Sequence, residues 1–311
     1  MINCVRQDAQ TGVFVSYICD MNSAPDSDPK LQALISLLDE PDHGSFLKVR
    51  DQIFSYGTTA VPMLESAWEN TFDNSVQQRI EDIIHNIQYD QLFLDLTRWA
   101  HFNKGDLLEA CILFTRFQYQ NILPESMHQQ VQQIGRDIWL ELNDNLTALE
   151  KVKVLNHIVF DLHQYRLPAE QTSDPRFLFL CNVLESKTGY SFTIGLLYTI
   201  LAQSMRMPVY PVLLPGERYV MAWLDEHTTP VGELPRVMFY INPENKGSVF
   251  TRNEIVSLLK RMSIKSGEHY FRPADTCVVI DKLFSLLAYL YREKGEATKA
   301  ARADHLRSSL L

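Results

Sequence analysis

The chain lacks any run of about 18 apolar residues, the length a membrane-spanning helix needs. Its longest candidate, Phe192 to Ala202, is broken by Gly195 and two threonines. It also lacks paired cysteines: Cys4, Cys19, Cys111, Cys181 and Cys277 stand far apart with no C-x-x-C spacing. That excludes a disulfide framework or zinc ribbon and predicts buried thiols in a reducing compartment. Glycine is scarce, 12 in 311 residues, and no glycine-rich phosphate loop is present. The nine histidines are scattered. His157 and His163 are six apart, on different helix faces, and no H-x-x-x-H pair gathers ligands, so neither a metal nor a cofactor is expected. Positive charge is short where it would matter for nucleic acid: Met21 to Glu150 holds 8 Lys and Arg against 20 Asp and Glu. Such a surface repels phosphate backbones, and the weakly basic remainder is no groove binder. Val13 to Cys19 is apolar, but it is short, follows Asp8 and lacks a small-x-small cleavage site. A cytoplasmic protein with a flexible leader over 1–28 is expected, with neither nucleic acid nor membrane as partner.

What the chain does have is apolar material, 46% of its residues, enough for one large or two ordinary domains. From Pro29 to about Asn143 the periodicity is helical. Leu31, Leu34, Ile35 and Leu38 form one block, Phe46, Val49, Ile53 and Phe54 the next, and Val61, Leu64 and Trp68 a third. Ser75-x-x-Gln78 offers a capping box for a helix through Ile80, Ile83, Ile84 and Ile87, followed by separate helices over 91–100, 106–119 and 125–142. Residues 29–146 therefore read as an acidic, HEAT-like helical array. Thr147-x-x-Glu150 opens a helix to His163, and Asp174-Pro175 opens another that ends near Gly189. Ser191 to Arg206 is apolar on nearly every face, which belongs at the centre of a core. Past Pro208 the period shortens: Val209 to Leu214, Arg218 to Asp225 and Arg236 to Asn242 predict a three-stranded antiparallel meander. Thr251-x-x-Glu254 caps a further helix. A closing hairpin, from Ala274 to Lys294 and Glu296 to Leu310, carries Leu287, Ala288, Tyr291, Gly295 and Ala300 at the spacing of one tetratricopeptide unit.

A helix rich in apolar residues, opened by Gly189-Tyr190-Ser191 and followed by a meander, is the layout of thiol enzymes of the transglutaminase type. The chain resembles the SirB-type branch of the transglutaminase-like superfamily. The resemblance is carried by Leu155-Asn156 with Phe160, Asp174-Pro175, Val183-Leu184-Glu185, Gly189, Leu197-Tyr198, Leu201-Ala202, Pro208, Leu214-Pro215-Gly216, Tyr240-Ile241 and Asn242-Pro243 with Gly247. It implies an α+β, mostly helical fold, with a transglutaminase-like core over 147–265 between the helical array and a tetratricopeptide-like hairpin over 266–311.

The resemblance also implies a catalytic Cys-His-Asp triad, and here its positions hold Ser191, Glu217 and Asn242. A serine hydroxyl is a poor nucleophile without an adjacent base, and a carboxylate does not alternate as base and acid as imidazole does. No histidine lies between His163 and His227. The expectation is a non-catalytic scaffold that binds a protein or peptide, with Ser191, Glu217, Trp223 and Asn242 lining the old cleft. A hydrolase or acyl transferase using Ser191 or Cys181, and a structural subunit of a larger assembly, are the alternatives. On the structural side, Ser191 reads as an N-cap, Asn242 as a strand-end turn residue, and Cys181 as a buried thiol inside a helix.

Overall fold

A computed structural model describes residues 28–170, 172–216, 218–225 and 236–310. They form two compact units, divided at Ile87/Gln88. In the first, α1 (Pro29–Ser36), α2 (His43–Phe54), α3 (Val61–Asn70) and the start of α4 (Asn74–Arg98) enclose a small core of Leu31, Leu38, Ile53, Leu64, Ile80 and Ile83. Short side-chain caps start these helices. Asp28 accepts from the Lys30 amide at 2.9 Å and Asp42 from the Ser45 amide at 2.8 Å, satisfying donors that a helix start leaves unpaired. Asp28 thus belongs to the fold, while residues 1–27 of the expected leader lie outside the described residues. Arg79 closes the C-terminal side of α1, donating to the carbonyls of Leu38 and Glu40 at 2.7 and 2.9 Å.

Two expectations about α4 need correction. The helix runs unbroken for 25 residues instead of stopping between Ile87 and Gln91, because no glycine or proline interrupts it and its apolar positions continue from Ile87 to Leu92 and Leu96. The cap is Asp73, whose Oδ1 accepts from the Ser75 amide at 2.8 Å and the Ser75 hydroxyl at 2.7 Å. Ser75 thus sits inside the helix rather than at its cap.

The second unit is built around one buried helix. After the π-helical turn Trp99–Asn103 come α5 (Leu107–Arg116), α6 (Pro124–Glu141), α7 (Ala148–Asn156) with a π-helical continuation over His157–Leu162, α8 (Leu180–Ser186) and α9 (Ser191–Ser204). Every residue of α9 from Phe192 to Ala202 is buried, as its all-round hydrophobicity predicts. Helices α5, α6 and α8 contact it, and so do β1 (Val209–Leu214) and β2 (Arg218–Asp225). The Thr147 capping box forms, with Glu150 accepting from the Thr147 amide at 2.8 Å. Asp174-Pro175 does start a turn, but a 3-10 turn over Pro175–Leu178. Phe179 is extended, and α8 begins only after it.

The sheet is an antiparallel meander in the order β1-β2-β3-β4, where β3 is Arg236–Asn242 and β4 is Ser248–Phe250. The three expected strands are present with the expected bounds, and β4, only three residues long, is the addition. Tyr219, Met221 and Trp223 of β2 join the core that contains α9, and Val220, Ala222 and Leu224 face Ile255, Leu259 and Phe271. Cover on both faces explains why six consecutive residues of β2 are buried instead of alternating. Gly195 lets α9 approach this sheet: a β-carbon there would run into the Tyr219 ring. Helix α10 (Arg252–Arg261) covers the outer face. The chain closes with α11 (Thr276–Glu293) and α12 (Ala297–Arg307), packed through Leu287, Ala288, Tyr291 and Ala300, with Gly295 at φ +77° between them. The whole is an α+β, mostly helical fold. No helix among the described residues is long and apolar enough to cross a membrane.

Candidate functional site

The start of α9 is held from three sides. The Tyr190 hydroxyl donates to the Thr172 carbonyl at 2.7 Å, the Tyr190 amide to the Phe177 carbonyl at 3.2 Å, and the Thr193 hydroxyl to the Leu178 carbonyl at 3.2 Å. Tyr190 is the N-cap, and Ser191 is the first residue of the helix proper. The expected capping bond of Ser191 is therefore absent. Its hydroxyl instead donates to Glu244 Oε1 at 3.4 Å, because a side chain one position inside the helix points away from the amides it would have capped.

Glu244 is brought there by Asn242. At the end of β3 the Asn242 side chain accepts from the Glu244 amide at 2.9 Å, Pro243 opens a 3-10 turn, and the Asn242 carbonyl accepts from the Gly247 amide at 2.9 Å. This is the strand-end turn role expected of Asn242. Beneath the turn lies a half-buried polar bridge. Asn156 Nδ2 donates to the Gly247 carbonyl at 2.9 Å, and its Oδ1 accepts from the Tyr198 hydroxyl at 2.9 Å. A second bond, between Thr199 Oγ1 and the Tyr219 hydroxyl at 2.9 Å, ties α9 to β2. Burial pushes the phenols of Tyr198 and Tyr219 far up, so both are fixed structural hydroxyls rather than proton carriers.

Ser191 and Asn242 thus meet around one turn, joined by Glu244. Trp223 does not join them. It lies four residues along β2 from Tyr219, about 13 Å at strand rise, and pairs with Val209, whose carbonyl accepts from the Gln203 side-chain Nε2 at the far end of α9. It is buried and stacked on Phe239 with centroids 5.7 Å apart. Glu217 lies outside the described residues. Sequence reasoning missed Glu244, Asn156 and Tyr198. An Asn-Pro-x turn that folds its third residue back toward the preceding strand was the available signal for Glu244.

Chemically, the site offers a hydroxyl beside an exposed carboxylate. A carboxylate does not alternate as base and acid as imidazole does. The thiols offer nothing more reactive. Cys181 sits in the first turn of α8, not deep inside a longer helix as expected, yet burial pushes its thiol up to about 11. Burial also pushes Cys111 up to about 12 and raises Cys277. Each stays protonated, the opposite of a thiolate nucleophile. Among the described residues no group of three or more His, Cys, Asp or Glu is placed to hold a metal ion.

The family model described as the transglutaminase-like superfamily matches residues 125–285. The chain belongs to the transglutaminase-like superfamily. No curated protein and no solved structure matches it. The transglutaminase-like region begins at the first turn of α6 and ends within α11. It therefore holds the Ser191 turn, the whole sheet and the Asn156 bridge, while α5 and α12 pack onto the same core from outside it.

Proposed function

We propose that this chain is a non-catalytic member of the superfamily, of the SirB-type branch, that serves as a cytoplasmic binding scaffold for a protein or peptide. One observation carries the reading: the hydroxyl of Ser191, at the position of the family nucleophile, is directed at the Glu244 carboxylate, a group that does not serve as base and then acid as imidazole does. The raised thiols of Cys111 and Cys181 support it further, and free thiols among the described residues fit a reducing compartment. The family's helix-and-sheet frame supplies a rigid platform for binding.

The test is turnover. Purified protein is offered activated esters, and a glutamine-containing peptide with a primary amine. The expected result is no rate above that of Ser191→Ala or Glu244→Gln. The same contact favours one competing reading, a weak serine hydrolase with Glu244 as base. Fluorophosphonate labelling of Ser191 that needs the folded protein and is lost in Glu244→Gln would establish that reading and overturn the scaffold.

A further inference from the structure

At the end of α9 opposite Ser191 lies a cavity of about 720 Å³ between the start of α5, α6 and the last turn of α9. Leu107, Val131, Ile200 and Met205 give it apolar lining beside polar His128, Gln132 and Gln203. A second hollow of about 350 Å³ adjoins it across Trp139, Ser204 and Met205, which line both. Trp139 stands between them, 68% exposed. A large aromatic left in water beside a flexible methionine is the composition of a surface that anchors a partner.

Charge indicates what kind of partner. The chain carries a net −9, yet Arg136, Lys151 and Arg206 line these two hollows. Lys151 is half-buried, and among the described residues neither it nor Arg206 makes a side-chain hydrogen bond or an ion pair. Arg136 bonds only to Gln133. Against these three cations the lining holds two carboxylates, Asp144 and Asp106, the latter also capping α5 by accepting from the Glu109 amide at 3.0 Å. Arg206 follows α9 at φ +55°, a left-handed conformation that Gln164, Lys187, Lys246 and Ser263 also adopt and that glycine takes at least cost.

We propose that this groove binds an acidic peptide segment of a partner protein, seating an apolar anchor side chain in the larger cavity and its carboxylates on Arg136, Lys151 and Arg206. The proposal builds on the scaffold reading but puts the partner at the opposite end of α9 from the old cleft. The test selects binders from a random short-peptide display library on the full-length protein. Winners are expected to combine Asp or Glu with an aromatic or large aliphatic residue and to bind more weakly as salt rises. Affinity is expected to fall roughly tenfold in Arg206→Gly and in Lys151→Glu, and Trp139→Ala is expected to weaken binding as well. Arg206→Gly is expected to melt no lower than wild type, which separates lost binding from lost folding.

No winners, winners without acidic residues, or affinity unmoved in Arg206→Gly and Lys151→Glu would each overturn the proposal. So would self-association through this face, or binding of dodecanoate alone. Winners sensitive only to Asn242→Ala would overturn this placement and leave the scaffold standing. Ser191-dependent turnover would sink the scaffold and leave the groove to be judged by its own variants.

Discussion

Ser191 and Asn156 show how little a residue's type says about its weight in a fold. Ser191 makes one long bond to an exposed carboxylate, so Ser191→Ala is expected to change unfolding free energy by less than about 0.5 kcal/mol. A urea titration showing a loss near the ~1 kcal/mol typical of a helix cap would restore the capping role. Asn156 joins α7, α9 and the turn before β4 through two bonds. Its removal strands a fully buried tyrosine hydroxyl. Asn156→Ala is expected to cost about 2 kcal/mol, and Asn156→Ala with Tyr198→Phe to cost less than the sum of the two singles, because the second change removes the orphaned group. Additivity in that cycle would show that the bridge carries no energy. Asn156 was visible in the sequence only as part of a resemblance. Nothing local marks it, since its partners are 42 and 91 residues away.

Elements were legible where short-range chemistry decides them. The Thr147 box and the bounds of β1, β2 and β3 follow from neighbouring residues. Errors came where two local signals competed. At Ser75 a capping-box pattern lay beside a better acceptor, Asp73, and the carboxylate won. At Asp174-Pro175 a sound start signal opened only a 3-10 turn, because the extended Phe179 buries its ring against Phe114. Asp174 caps that turn and also meets Arg176 and Lys294 at 2.7 and 3.6 Å. Burial pushes its carboxyl up, but the bonds from Arg176 and the charge of Lys294 outweigh it, holding the group below the ordinary 3.8. A folded-state value below the unfolded one stabilises the fold at higher pH. This contribution is intact above about 3.8 and drains as pH falls through the depressed value. Asp174→Ala is expected to cost about 1 kcal/mol at neutral pH, with the gap to wild type closing in acid. A gap constant down to pH ~2 would refute the linkage.

At the scale of the whole molecule the two units carry unequal cores. Among the described residues the first holds a cluster of nine buried apolar residues, while the second surrounds α9 with the larger cluster that includes the sheet's inner face. Local opening follows the local density of buried apolar contacts. Amides of α1 to α3 are therefore expected to exchange with deuterium well before those of α9, and one common rate in both units would refute it. The sequence by itself determined the helical bias, the strand meander and the central place of α9, because apolar periodicity and capping act over a few residues. The resemblance read from it also implied that Ser191, Glu217 and Asn242 stand at the triad positions. Only the tertiary structure decided that Ser191 meets Glu244, that Trp223 is core, and that Arg136, Lys151 and Arg206 gather around Trp139. Those meetings join residues tens of positions apart, and packing, not propensity, brings them together.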